Sequence, residues 1–143
     1  MSEGSNNNIQ QSAVSLLSRE LRSYCRSKLI SEDGLREIIQ RHRLAANHLS
    51  DYNFFLAACS NERVTEGIIR CLLEYFPNAA SAADERGCLP LLCACNGKGV
   101  TINIIELIFA AAPDSVRSVN NNGNMPLHAL MQDKRMTQLQ FKY

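Results

Sequence analysis

The sequence predicts an all-α chain in which short helix pairs repeat and stack. Three observations carry this. The chain resembles itself at an offset of 36 residues, prolines and threonines recur in that register where helices start, and the helix after each threonine is apolar almost all round. An internal repeat of that length is one supersecondary unit that buries its apolar face only against a neighbouring copy.

The elements follow in order. Residues 1–8, Met-Ser-Glu-Gly-Ser-Asn-Asn-Asn, read as a disordered lead, because they hold neither a basic stretch nor an apolar run. Ala13, Val14, Leu16, Leu17, Leu21 and Tyr24 have helical spacing, as do Leu35, Ile38 and Ile39. These helices lie in a degenerate cap over 9–50, recognisable at an offset of 34 through Cys25 with Cys59, Glu32 with Glu66 and Arg36 with Arg70. A terminal repeat is expected to be atypical, since its outer face must be polar.

The clear copies span 51–87 and 88–123. Ala58-Cys59 falls on Ala94-Cys95, Val64-Thr65 on Val100-Thr101, Ile68-Ile69 on Ile104-Ile105, Pro77 on Pro113 and Gly87 on Gly123. Nine of 33 positions from Phe55 to Gly87 are identical, where ordinary composition gives roughly two by chance. Pro90 and Pro126 suit the first turn of a helix, which needs no N–H there. Thr65, Thr101 and Thr137 are placed as N-caps of the second helix. That helix carries Ile68, Ile69, Leu72, Leu73 and Phe76 in one copy, and Ile104, Ile105, Leu107, Ile108 and Phe109 in the next. So little polar surface requires neighbours on both sides. Pro77 and Pro113 end it, and turns Asp84–Gly87 and Asn120–Gly123 follow, each closing on the glycine that such turns use. A partial repeat covers 124–143. Its second helix has room for little more than a turn, so Ile105, Ile108 and Phe109 are expected to lack a covering neighbour and to favour self-association.

Gly87-Cys-Leu-Pro-Leu-Leu-Cys-Ala-Cys95 and Gly123-Asn-Met-Pro-Leu-His-Ala-Leu-Met131 resemble the Gly-x-Thr-Pro-Leu-His-x-Ala-Ala signature of ankyrin repeats. Asp84 and Asn120 match the family's residue three places before that glycine. The likeness runs from about Asp51 to Tyr143 and has departures. The period is 36 instead of about 33, Leu89 and Met125 replace the Thr, and the His survives only as His128. The resemblance implies an ankyrin-like helix-pair solenoid of about 2.5 repeats plus the degenerate N-terminal cap.

It also implies a protein-binding adaptor or regulator, which is not an enzyme and needs no cofactor. Binding in this family uses turn tips and the exposed side of the first helices. Here the tips are Glu85, Arg86, Asn121 and Asn122, the position after the tip glycine holds Cys88 and Asn124, and its earlier counterpart is Tyr52. The first-helix positions are Ala57, Cys93 and Ala129. Tyr52 is a candidate anchor, because large amphipathic rings often anchor interfaces; packing against the cap is the equal alternative.

Composition narrows the classes. The 143 residues are 45% apolar and 20% charged, with a net charge of +1, so no global field draws the chain to nucleic acid. No apolar run reaches the ~20 residues of a membrane span. Six cysteines without an export signal are expected as thiols in the cytoplasm or nucleus.

Three chemistries are weighed against packing. Cys88, Cys93 and Cys95 suggest a redox or metal sensor, but zinc sites want four ligands, and cysteine between helices behaves as a small hydrophobe. His128 has no nucleophile or carboxylate in a recognisable relation to it, and His42 and His48 read as surface residues. Arg19, Arg22, Arg26 and Lys28 give the first helix a basic edge suited to an acidic partner or nucleic acid, although no aromatics interleave with them.

Overall fold

A computed structural model of the chain describes residues 2–97 and 99–126, with side chains from residue 11 onward. The helices are α1 (Ser2–Cys25), α2 (Glu32–Arg41), α3 (Arg43–Ala46), α4 (Asn53–Cys59), α5 (Glu66–Tyr75), α6 (Pro90–Cys95) and α7 (Ile102–Ala111). Short 3₁₀ turns cover Pro77–Ser81 and Pro113–Arg117, and the described residues contain no strand. The expectations for His128, Ala129, Thr137 and the last helix fall outside the described residues.

The helices form two rows. In one row α1 packs on α4 and α4 on α6; in the other α2 packs on α5 and α5 on α7. Within each unit the rows meet as the pairs α1 with α2, α4 with α5 and α6 with α7. One apolar core runs through all of them, from Leu17 to Ile108.

Local chemistry sets the helix ends. The Thr65 and Thr101 hydroxyls accept from the N–H groups of Ile68 and Ile104, at 3.2 and 3.3 Å, satisfying donors that the helix itself leaves open. Ser31, which falls on Thr65 at the offset of 34, does the same for Gly34 at 3.1 Å. Pro90 opens α6. Pro77 and Pro113 push the residue before them out of the helical region, so Phe76 and Ala112 end α5 and α7 and a 3₁₀ turn follows each.

Burial follows the repeat. Ile68, Ile69, Leu72, Ile104, Ile105 and Ile108 are each at most 1% exposed. The open apolar face expected at Ile105 and Ile108 is therefore absent, and Phe109 is half-buried. α7 packs on α5, α6 and the Pro77–Ser81 turn.

The first helix departs from its reading in two respects. It is drawn from Ser2, so residues 2–8 continue α1, each added residue contributing a hydrogen bond to a helix already nucleated. Leu16 is exposed, because the buried stripe of α1 runs through Leu17, Leu21 and Cys25, four residues apart.

Candidate functional site

The two turns between helix pairs share one hydrogen-bond plan. Asp84 Oδ1 accepts from the N–H groups of Arg86 and Cys88, at 2.8 and 2.9 Å. Asn120 Oδ1 accepts from Asn122 and Asn124, at 3.0 and 2.8 Å. Gly87 and Gly123 close these turns at φ of 77° and 81°, the left-handed region that disfavours a side chain. The turns are also tied to each other. Asn121 N–H donates to the Arg86 carbonyl at 2.8 Å, its Nδ2 to the Glu85 carbonyl at 3.4 Å, and Asn120 Nδ2 reaches Cys88 Sγ at 3.2 Å.

Below the first of these turns lies a groove of about 900 Å³. Its floor is the exposed side of α4, with Asn53, Leu56, Ala57 and Ser60. One wall holds the tip residues Asp84, Glu85 and Arg86 with Cys93 of α6. The other holds Arg22 of α1, then Arg26 and Lys28, and Asn61, Glu62 and Arg63 from the α4–α5 loop. The structure thus brings two separate readings together: the tip and first-helix positions, and the basic edge of α1, face one space.

Asn61 holds together the two segments of the basic wall. Its Nδ2 donates to the carbonyls of Cys25 and Ser27, at 2.8 and 2.9 Å, so the α4–α5 loop is fastened to the end of α1. Its Oδ1 accepts from the Arg63 N–H at 2.8 Å, shaping the loop that carries Arg63. Nothing in the linear sequence marks Asn61, because its partners lie about one repeat away.

The remaining candidates are placed as follows. Tyr52 is half-buried; its hydroxyl donates to the Leu49 carbonyl at 3.2 Å and its ring packs with Phe54 and Phe76, 6.1 and 6.2 Å between centroids. Of these partners only Leu49 belongs to the cap, and the ring also borders a smaller cavity of about 270 Å³ shared with Asp84 and Glu85. Asn121, Asn122 and Asn124 are exposed but lie outside the groove, and Cys88 is half-buried. His42 is less exposed than expected, because its Nε2 meets Glu20 Oε2 at 3.0 Å.

All six cysteines are thiols. Burial pushes the Cys93 thiol up to about 11, with Cys88 and Asp84 beside it adding to the rise, so Cys93 is a neutral thiol near pH 7. Among the described residues no three His, Cys, Asp or Glu side chains converge as metal ligands, so Cys88, Cys93 and Cys95 gain no further donor there. No helix among those residues is long and apolar enough to cross a membrane.

Comparison with known protein families, with curated proteins and with solved structures finds nothing that matches this chain.

Proposed function

We propose that this chain is a divergent ankyrin-like repeat protein that binds another protein along the groove between α1, α4 and the Asp84–Gly87 turn. One observation carries the reading. The groove is walled by the tip and first-helix positions Glu85, Arg86, Cys93 and Ala57, which is where the family resemblance puts partner contacts. Ala57 and Ser60 give a low floor that lets a partner's backbone approach, while charged residues rim it. The work is recognition, without chemistry of its own and without a cofactor.

A photo-crosslinking amino acid placed at Ala57, and in a second variant at Arg70 on the second row, tests the reading in cell extract. Specific protein adducts at Ala57 and none of the same adducts at Arg70 are expected. Identical adducts from both positions would overturn it, since two faces of one molecule would then be equally sticky.

A further inference from the structure

We infer that the groove takes an acidic, extended peptide, its carboxylates seated on Arg22, Arg26, Lys28 and Arg63. This rests on the reading of the groove as a protein-binding site and names the chemistry of the partner.

The argument starts from which cations are already occupied. Three arginines outside the groove, Arg36, Arg41 and Arg70, have internal partners. Arg36 meets Glu32 and Glu74, Arg41 meets Glu20 and Glu37, and Arg70 meets Glu66, all between 2.6 and 3.2 Å. Arg22, Arg26, Lys28 and Arg63 form no ion pair with any described residue, and all four are exposed. Arg26 follows the last residue of α1, and its N–H donates to the Arg22 carbonyl at 3.2 Å, so the two lie one turn apart at the end of that helix. Arg63 comes from the α4–α5 loop on the same wall, and the Asn61 hydrogen bonds to Cys25 and Ser27 hold that loop against the end of α1. Positive charge from two segments, gathered along one wall of the groove, is organised before any ligand arrives. Such preorganisation is what gives charge complementarity its selectivity.

The carboxylates in the same space do not cancel this. Asp84 is committed to the Arg86 and Cys88 N–H groups. Glu62 and Glu85 are exposed, and Glu85 sits on the tip wall, away from α1. The groove is therefore basic on the α1 side and mixed at the tip, which sets a direction for an acidic segment. A nucleic acid fits less well. No aromatic ring lines the groove to stack on bases. A continuous phosphate chain would also run against Glu62 and Glu85, where a peptide can place neutral residues.

The test uses the full chain and a fluorescent peptide of alternating Glu and Gly, with the matching Gln–Gly peptide and an oligouridine as comparators. Anisotropy should show binding of the Glu peptide that weakens as salt rises, and binding of the Gln peptide roughly tenfold weaker or less. Arg26→Glu and Arg63→Glu, both at exposed positions whose fold is checked by circular dichroism, should each weaken the Glu peptide severalfold. Arg70→Glu, on the second row, should leave it unchanged. Equal binding of the Glu and Gln peptides, tighter binding of oligouridine, or equal loss from Arg70→Glu would each overturn the inference. If the Glu peptide fails while the Ala57 crosslinker still captures a specific protein, the acidic preference is wrong and the groove reading stands. If both fail, the groove itself is not the site.

Discussion

Asn61 holds Cys25 by its carbonyl: the side-chain amide of the α4–α5 loop donates to the last residue of α1 at 2.8 Å, across 36 positions of sequence. Helix C-termini leave carbonyls without intrahelical donors, and here a neighbouring unit supplies one. Asn61→Ala should lower stability by about 1–3 kcal/mol, because the carbonyls of Cys25 and Ser27 lose a donor in a partly buried place. Asn61→Asp should cost more, since a carboxylate would face two carbonyl oxygens. Urea denaturation of the three proteins checks the order.

The next interface uses a different device. Gly97 stands where Asn61 does in the earlier copy, and Gly99 lies so close to the α4–α5 loop that a Cβ on it would collide with the Glu62 backbone. Gly99→Ala should therefore destabilise by about 1–3 kcal/mol, as overpacking does. Gly123 is the contrast. Its constraint is the positive φ, with open space around it, so Gly123→Asn should change stability little. Comparable losses from both would refute the distinction.

Leu72 is 0% exposed in α5, between α2 and α7. Leu72→Ala should cost about 2–5 kcal/mol, as cavity-forming substitutions do. The caps are smaller: Thr65→Ala and Thr101→Ala should each cost about 1 kcal/mol. Thermal or chemical denaturation measures all three, and a near-zero change at Leu72 would show that α5 is not held between its neighbours.

Alkaline pH should weaken the fold through its thiols. Burial, with Cys71 nearby, pushes Cys25 up to about 12, and Cys93 rises to about 11, both from an ordinary 9.0. The folded protein keeps these protons after the unfolded chain has begun to lose them. Their stabilisation is thus complete below about pH 9 and is lost as pH rises through about 11 to 12. The melting temperature should fall over this window, and Cys25→Ala should flatten the slope whatever its effect at neutral pH.

Charge pairing along the second row is uneven. The register suggests that Arg70 and Glu106, equivalent positions, stack near each other, but Arg70 is taken by Glu66 at 2.6 Å within its own helix. One unit earlier the same intrahelical pair, Glu32 with Arg36, is joined by Glu74 of α5 at 3.2 Å. The position 36 residues after Glu74 is Ala110, so the next interface has no carboxylate to offer. A double-mutant cycle should give about 0.2–1 kcal/mol of coupling for Arg36 with Glu74 and none for Arg70 with Glu106.

Sequence reading succeeded where the signal was local. Thr65, Thr101, Pro90, Gly87 and Gly123 each act within a few residues of themselves, and their types announce the cap, first turn or left-handed turn they make. It failed where the partner lay a whole repeat away. The Asn61 bridge, the burial of Ile105 and the coming together of Arg22 with Arg63 depend on stacking geometry, which spacing along one helix does not contain. Tyr52 shows a third case. An amphipathic ring suits an interface or packing against the cap equally, and its ring neighbours Phe54 and Phe76, both within its own repeat, are not marked by the spacing.

Each of the three helices of the first row ends on a sulfur: Cys25 closes α1, Cys59 closes α4 and Cys95 closes α6, all buried. A thiol reagent in solution reaches such a side chain only when its own segment opens, so the labelling rate reads the free energy of that opening. The chain therefore carries an intrinsic set of clocks, one per unit, with no probe to be engineered. Following the three modification rates by peptide mass in a single sample would show whether the stack unzips from one end or gives way all at once.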